Sequence, residues 1–226
     1  MFPVGIDTDR LRLRRLTREE LPPLVGYEHL GRRRSDAVAE ETRFLSWSPH
    51  ETPKETHDYL ERVEDSWDDR GAAHYAVYPR EGEDGAGEFA GTTALDVDWE
   101  KQTATLGIWL RRRFWGRGYS GERAAALFRL AFGRLDLDLV AVFHHPENEQ
   151  SRRAVEKYVD AYGGCHEGVL RNWAVDADGE PADRHRYSVS RAEWREAVEG
   201  GGGVGTGADA GTTRFLDECE TDTRDE

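Results

Sequence analysis

With 226 residues the chain can bury one full hydrophobic core, and no second compact domain fits once a glycine-rich, acidic stretch near the end is set aside. Its formal charge of −14, from 45 acidic against 31 basic side chains, excludes the broad basic face that nonspecific nucleic-acid binding requires. No apolar run reaches the roughly 18 residues of a membrane span and the first residues carry no signal-peptide pattern, so a cytoplasmic protein with no membrane partner is expected.

The basic residues include only three lysines, Lys54, Lys101 and Lys157. Such acidity fits either a basic partner or a surface adapted to a salty cytoplasm, where charge is screened, and the second reading is favoured. Cys165 and Cys219 are too few and too far apart for a zinc knuckle and are expected as free thiols.

In chain order, residues 7–15 alternate Leu11 and Leu13 with arginines, the pattern of a first strand with one buried face. Thr17 and Glu20 have capping-box spacing and predict a helix opening there, with Pro22 and Pro23 in its first turns. The signal weakens through Arg32, Arg33 and Arg34 and breaks between Phe44 and Pro49. Thr52 and Glu55 then cap a helix with Tyr59, Leu60, Val63 and Trp67 as its apolar stripe.

Strands are predicted at 73–79 and 89–97 about a polar turn at 81–88, and after a turn at 98–102 a buried central strand runs over 105–110. A helix follows over 120–134, because Ala124, Leu127, Phe128, Ala131 and Phe132 recur at helical spacing. Residues 139–143 are wholly apolar, as in a buried strand parallel to the central one across a right-handed crossover. Another helix runs to Tyr162 and stops at Gly163 and Gly164, before strands at 165–172 and 186–189. The expected architecture is α/β, a mixed twisted sheet with helices on both faces, formed by residues 1–199. Residues 200–226 are expected to be a disordered, glycine-rich acidic tail in which Phe215 and Leu216 are the large apolar pair.

The stretch Arg113-Phe114-Trp115-Gly116-Arg117-Gly118 lies between the central strand and its helix. Unpaired N–H groups at a helix start, with the positive end of the helix dipole, favour an anion, and Gly116 and Gly118 lack the Cβ atoms that would hold a phosphate off. Arg111, Arg112, Arg113 and Arg117 add charge. The pattern is not a dinucleotide fingerprint, since no acidic ribose ligand closes a following strand, nor a P-loop, since no Gly-Lys-Ser/Thr follows.

This stretch resembles the acyl-CoA signature R/Q-x-x-G-x-G/A of the GCN5-related N-acetyltransferases, and Phe114 to Tyr119 is similar to the ribosomal-protein N-terminal acetyltransferase branch. Two further signatures follow in order, Asn148-x-x-Ser151 and Glu167-Gly168-Val169-Leu170-Arg171. The resemblance covers about 8–194 and implies an acetyl-CoA-dependent N-acetyltransferase with a V-shaped opening between two central parallel strands. Ile108, Leu110, Arg113, Gly116, Arg117, Gly118, Tyr119, Ser120 and Asn148 would contact acyl-CoA, with Asn148 on the pantetheine amide. Ser151 would be the catalytic acid for the departing thiolate. Phe44, Trp47 and Tyr59 would line the acceptor groove, each being also an ordinary candidate for core packing.

The acceptor implied is a protein N-terminal amine. A small amine such as a polyamine or antibiotic, and a noncatalytic acyl-CoA-binding module, stand as alternatives; a monomer or homodimer is expected. The base is open. Many relatives carry a glutamate in the central strand where this chain has Thr105, or after the third signature where it has Ala174; Glu167, Asp176, His144 and His145 are candidates by location. His144, His145, Cys165 and His166 match no metal-ligand spacing, and no metal is expected.

Overall fold

The computed structural model describes residues 1–33, 36–177, 179–200 and 212–217. They build a nine-stranded mixed sheet with helices on both faces. The strands are β1 (Gly5–Asp7), β2 (Leu11–Arg15), β3 (Ala72–Pro79), β4 (Gly91–Asp98), β5 (Thr103–Leu110), β6 (Leu139–His144), β7 (Cys165–Val175), β8 (Pro181–Ser190) and β9 (Arg214–Leu216). Their spatial order is β7-β8-β6-β5-β4-β3-β2-β1-β9. Every neighbouring pair is antiparallel except β5 and β6, which the crossover helix makes parallel.

On one face lie α1 (Pro23–Leu30) and α3 (Pro53–Asp68), joined through the short α2 (Val38–Glu41). Leu21, Leu30, Leu60 and Val63 pack there against Ala76, Phe89 and Trp109. On the other lie α4 (Tyr119–Phe128) with a π-helical continuation at Arg129–Arg134, α5 (Glu149–Ala161) and α6 (Arg191–Glu199). Their Leu127, Phe128, Leu130 and Val155 meet Leu11, Leu13, Tyr75 and Leu106 in the larger core. Period-2 alternation decides which strand residue enters which core: in β4, Gly91, Thr93 and Leu95 are buried, whereas Asp96 is exposed.

Three expectations are corrected. No helix opens at Thr17. Its hydroxyl does accept the Glu20 N–H at 3.0 Å, but the backbone at Pro22 is extended and α1 starts only at Pro23. A residue preceding proline is driven out of the helical region, so Pro22-Pro23 ends the first turn and restarts the helix with proline at its first position.

The last two long strands reach further than their apolar residues suggest, to Val175 and back from Pro181. Their ladder carries irregularities between His166 and Gly168 and between Leu170 and Ala174.

Nor is the stretch after Gly200 without structure throughout. Arg214–Leu216 pairs antiparallel with β1, Ile6 facing Phe215. Phe215 packs on the larger core under the Arg134 guanidinium, Arg134 pairs with Asp217 at 2.5 Å, and the Thr212 N–H reaches Asp9 at 3.1 Å. A three-residue β1 leaves one row of backbone groups unpaired, and a short apolar segment downstream satisfies them. The remaining tail residues, Cys219 among them, lie outside the described residues; Cys165 is a free, exposed thiol. No described helix is long and apolar enough to cross a membrane.

Candidate active site

The parallel β5–β6 ladder runs only from Thr103↔Leu139 to Leu106↔Val142, although β5 continues to Leu110 and stays paired with β4 throughout. Beyond Leu106 the two strands part, so alternate backbone groups of Gly107–Leu110 point into a gap with no strand opposite. Not all are free: the Leu110 carbonyl accepts from the Trp115 indole at 2.7 Å, while the Gly107 carbonyl, on the β4 side, accepts from the Thr93 hydroxyl at 2.7 Å. Ile108 and Leu110 are half-buried beside this gap.

At its mouth the chain turns through Gly116 and Gly118, both at positive φ, 75° and 80°, a conformation that favours glycine. A Cβ at Gly116 would meet nothing within 4 Å, and one at Gly118 only the tip of Arg10 at 3.4 Å. The space in front of the turn is open. Gly118 is the N-cap of α4 and provides no side-chain cap, so the N–H groups of Tyr119 and Ser120 point out of the first turn without an intrahelical acceptor. The Tyr119 side chain is buried and its hydroxyl donates to Glu83 at 2.7 Å, which leaves only its backbone to face a ligand.

The arginines depart from the expectation of free positive charge. Arg113 pairs with Glu88 at 2.5 Å and lies 3.7 Å from Asp84; Arg117 holds the Asp84 carboxylate at 2.8 Å and its carbonyl at 2.7 Å; Arg112 pairs with Glu40 and Arg10 with Glu122. Arg111, Arg113 and Arg117 gather around the Phe114 ring. The polar turn between β3 and β4 thus furnishes carboxylates in front of the helix. Arg123, one turn into α4, has no carboxylate partner among the described residues, and in the sequence nothing sets it apart among its alanines.

Asn148 caps α5, its side-chain oxygen accepting the Ser151 N–H at 3.0 Å. That places Ser151 half-buried in the first turn, beside the end of β6, and leaves the Asn148 amide NH₂ available to donate.

Over the other face of the gap runs the segment between α2 and α3. Phe44 stacks on His145, with ring centroids 5.1 Å apart, the Ser48 hydroxyl reaches the Ala177 carbonyl at 3.1 Å, and Trp47 sits edge-on to Trp109 of β5 at 5.7 Å. Phe44, Trp47 and Ser48 together therefore link β5 to the β6–α5 and β7–β8 connections. Tyr59 packs in the smaller core near His50, and burial pushes its phenol up to about 12. Trp47, Ser48, His50, Glu55, Asp58 and Arg62 enclose a hollow of about 220 Å³ alongside.

Of the four base candidates, Glu167, Asp176 and His145 are engaged and His144 is engaged on one ring nitrogen. Glu167 pairs with Arg186 at 3.2 Å. Asp176 is gripped by Arg184 and lies 3.5 Å from His145, whose Nδ1 accepts the Glu147 N–H at 3.1 Å. His144 donates from Nδ1 to the His145 carbonyl at 2.9 Å and stacks on His185; burial lowers its pKa, and its Nε2 is buried without a partner.

A carboxylate missed from the sequence lies nearby. Asp96 is directly opposite Thr105 in the β4–β5 ladder, so both side chains occupy one face, and His74 Nε2 is 3.9 Å from its carboxylate. Its side chain is 56% exposed, yet the protein around it raises its pKa through desolvation. The signal available was an aspartate set between Leu95 and Val97 within the strand.

Among the described residues, His57, Asp58 and Glu61 on α3 are the grouping close enough to share an ion, and Lys54 and Arg18 already pair with its two carboxylates. His166 instead hydrogen-bonds His185 at 2.9 Å.

Residues 10–158 match the acetyltransferase (GNAT) domain family. The chain belongs to the GNAT acetyltransferase family, and its fold is the GNAT fold. It is 26% identical over 188 residues to the uncharacterized N-acetyltransferase p20 of Bacillus licheniformis, covering 83% of this chain and 96% of that one. YdaF of Bacillus subtilis, named provisionally as a ribosomal N-acetyltransferase, is 29% identical over 109 residues, 48% of this chain and 57% of its own. The structure of RimL, a ribosomal L7/L12 alpha-N-protein acetyltransferase, superposes with a TM-score of 0.65 at 17% identity, over 82% of this chain and 94% of that one, a likeness of fold.

Proposed function

We propose that the protein transfers the acetyl group of acetyl-CoA to a primary amine, with a protein N-terminus as the acceptor class. The observation that carries this reading is the parting of β5 and β6 after Leu106 and Val142, with the Gly116–Gly118 turn and the α4 N-terminus at its mouth. The turn would take the diphosphate on backbone N–H groups, as would Ser120, and the pantetheine arm would run along Ile108 and Leu110 towards the free amide of Asn148. Arg113 and Arg117 would exchange Asp84 and Glu88 for phosphate oxygens. The names of YdaF and RimL favour a ribosomal or other protein N-terminus.

The neutral amine attacks the thioester carbonyl carbon, the C–S bond breaks as the amide forms, and Ser151 protonates the leaving thiolate. A backbone N–H of the unpaired segment at Ile108–Leu110 stabilises the oxyanion. The ammonium must first lose its proton. Asp96, its pKa raised and its position directly across from Thr105, suits that role through a water.

A small cationic amine is a second reading, favoured by the hollow in which Glu55 and Asp58 accompany the Trp47 indole. Thiol release from acetyl-CoA against N-terminal peptides, polyamines and aminoglycosides tests both. Turnover with peptides alone supports the first and turnover with small amines the second. No release with any of them, together with undiminished CoA binding, would leave a binding module and refute both.

A further inference from the structure

Arg123 is 1% exposed, the largest of the fully buried side chains, and its Nε and Nη1 have no hydrogen-bond partner. The polar group that acts on it is Tyr158 of α5, with the guanidinium 5.9 Å from the ring centroid; burial holds that phenol neutral by raising its pKa. Burial likewise lowers the pKa of Arg123, with Tyr158 the one group acting against it. A guanidinium stays charged in a protein interior, so the larger core carries a cation for which the described residues provide no counter-charge.

The surroundings make this telling. Arg10, Arg112, Arg113 and Arg117, which ring the α4 N-terminus, each hold a carboxylate. Arg123 lies four residues after Tyr119, about 6 Å along the helix axis, and helical side chains lean back towards the N-terminus. Its backbone therefore lies one helical turn behind the turn whose N–H groups and dipole already favour an anion, and its charge is held in low-dielectric core against Tyr158.

We infer that Arg123 is a fixed electrostatic anchor whose counter-charge is the phosphate of the bound ligand. The apo protein carries the uncompensated charge, and the ligand's diphosphate neutralises it through the first turn of α4 without touching it. This rests on the acyl-CoA reading above, and it assigns to a core residue a ligand-binding role that the exposed arginines, already paired, cannot fill unaided.

Arg123→Met keeps the shape and removes the charge, Arg123→Lys keeps the charge, and Arg123→Gln is the reserve should the methionine variant not fold. The assay compares acetyl-CoA with acetyl-pantetheine, which carries the same thioester and arm but no phosphate. Arg123→Met should weaken acetyl-CoA binding at least about tenfold, as a unit charge does at about 12 Å in an effective dielectric of about 20. It should leave the KM for acetyl-pantetheine within about twofold, and should raise the melting temperature of the apo protein. Arg123→Lys should retain most of the affinity. Equal losses with both substrates, or acetyl-CoA affinity unchanged in Arg123→Met, would overturn the inference while leaving the family reading intact. A parent chain that binds no CoA would defeat that reading, and this inference with it.

Discussion

Gly118→Asp tests the anion turn most directly, because the fold and the ligand feel it differently. The mutant residue must adopt φ near 80°, which costs a non-glycine residue about 1 kcal/mol and least for Asp or Asn. Its Cβ would find only Arg10 Nη2 at 3.4 Å, ordinary contact with the end of a flexible side chain already occupied by Glu122. The melting temperature should fall by only about 2–4 °C for a chain of this size. The ligand meets a carboxylate in the open space before the α4 N-terminus. At about 5 Å from one phosphate charge, with an effective dielectric of about 20, the repulsion is about 3 kcal/mol, or about 10²-fold in affinity. Gly118→Asn carries the same backbone strain and nearly the same shape without charge, so its loss should be smaller by most of that factor. Calorimetric titration with CoA, alongside thermal unfolding, measures both quantities. A folded Gly118→Asp that binds CoA within about threefold of the parent would refute the anion site.

Ser151→Ala should bind CoA as the parent does, since the Ser151 N–H that Asn148 accepts is retained, while single-turnover chemistry slows about 10²-fold; an unchanged rate would remove Ser151 as the acid. Ending the chain at Glu199, or Phe215→Ala within it, should lower the melting temperature by about 3–6 °C, because a half-buried aromatic and the β1–β9 ladder are lost; no change would show that β9 contributes nothing. Stability should also fall with acid below about pH 6.5. Burial lowers the pKa values of His29, His50 and His144, so the unfolded chain binds protons that the folded one resists; their contribution is complete above the unfolded value near 6.5 and is lost as the pH falls towards the lowered folded values. A denaturant midpoint flat from pH 7.5 to 5.5 would contradict this.

Much of the architecture was legible because it rests on local signals. The apolar runs at β5 and β6, the spacing of Leu127 and Phe128, and the glycines at 116 and 118 each state a backbone preference within a few residues. What escaped was long-range. Asp84 and Glu88 read only as a polar turn, and nothing in their neighbourhood says that Arg113 and Arg117 lie beside them. Asp96 gains its position from pairing with Thr105, and Arg123 its burial from α5 packing across it. Phe215 and Leu216 are too short a segment to predict a strand, and acquire one only because β1 offers an edge. The helix expected at Thr17 failed for a local reason that was visible: two prolines outweigh one capping pair.

The carboxylates that hold Arg113 and Arg117 also decide how the protein responds to its solution. A site of bare arginines gathers small anions and must shed them when a polyanion docks, so its affinity falls steeply as salt is added. On the proposed reading the shedding would be intramolecular: Asp84 and Glu88 would leave as the diphosphate arrives, and the number of free ions would change little. Added salt weakens the old partnership and the new one together. The mouth of the site would thus act as an ion exchanger in balance with itself, with capture of acyl-CoA nearly indifferent to ionic strength on a chain whose formal charge is −14.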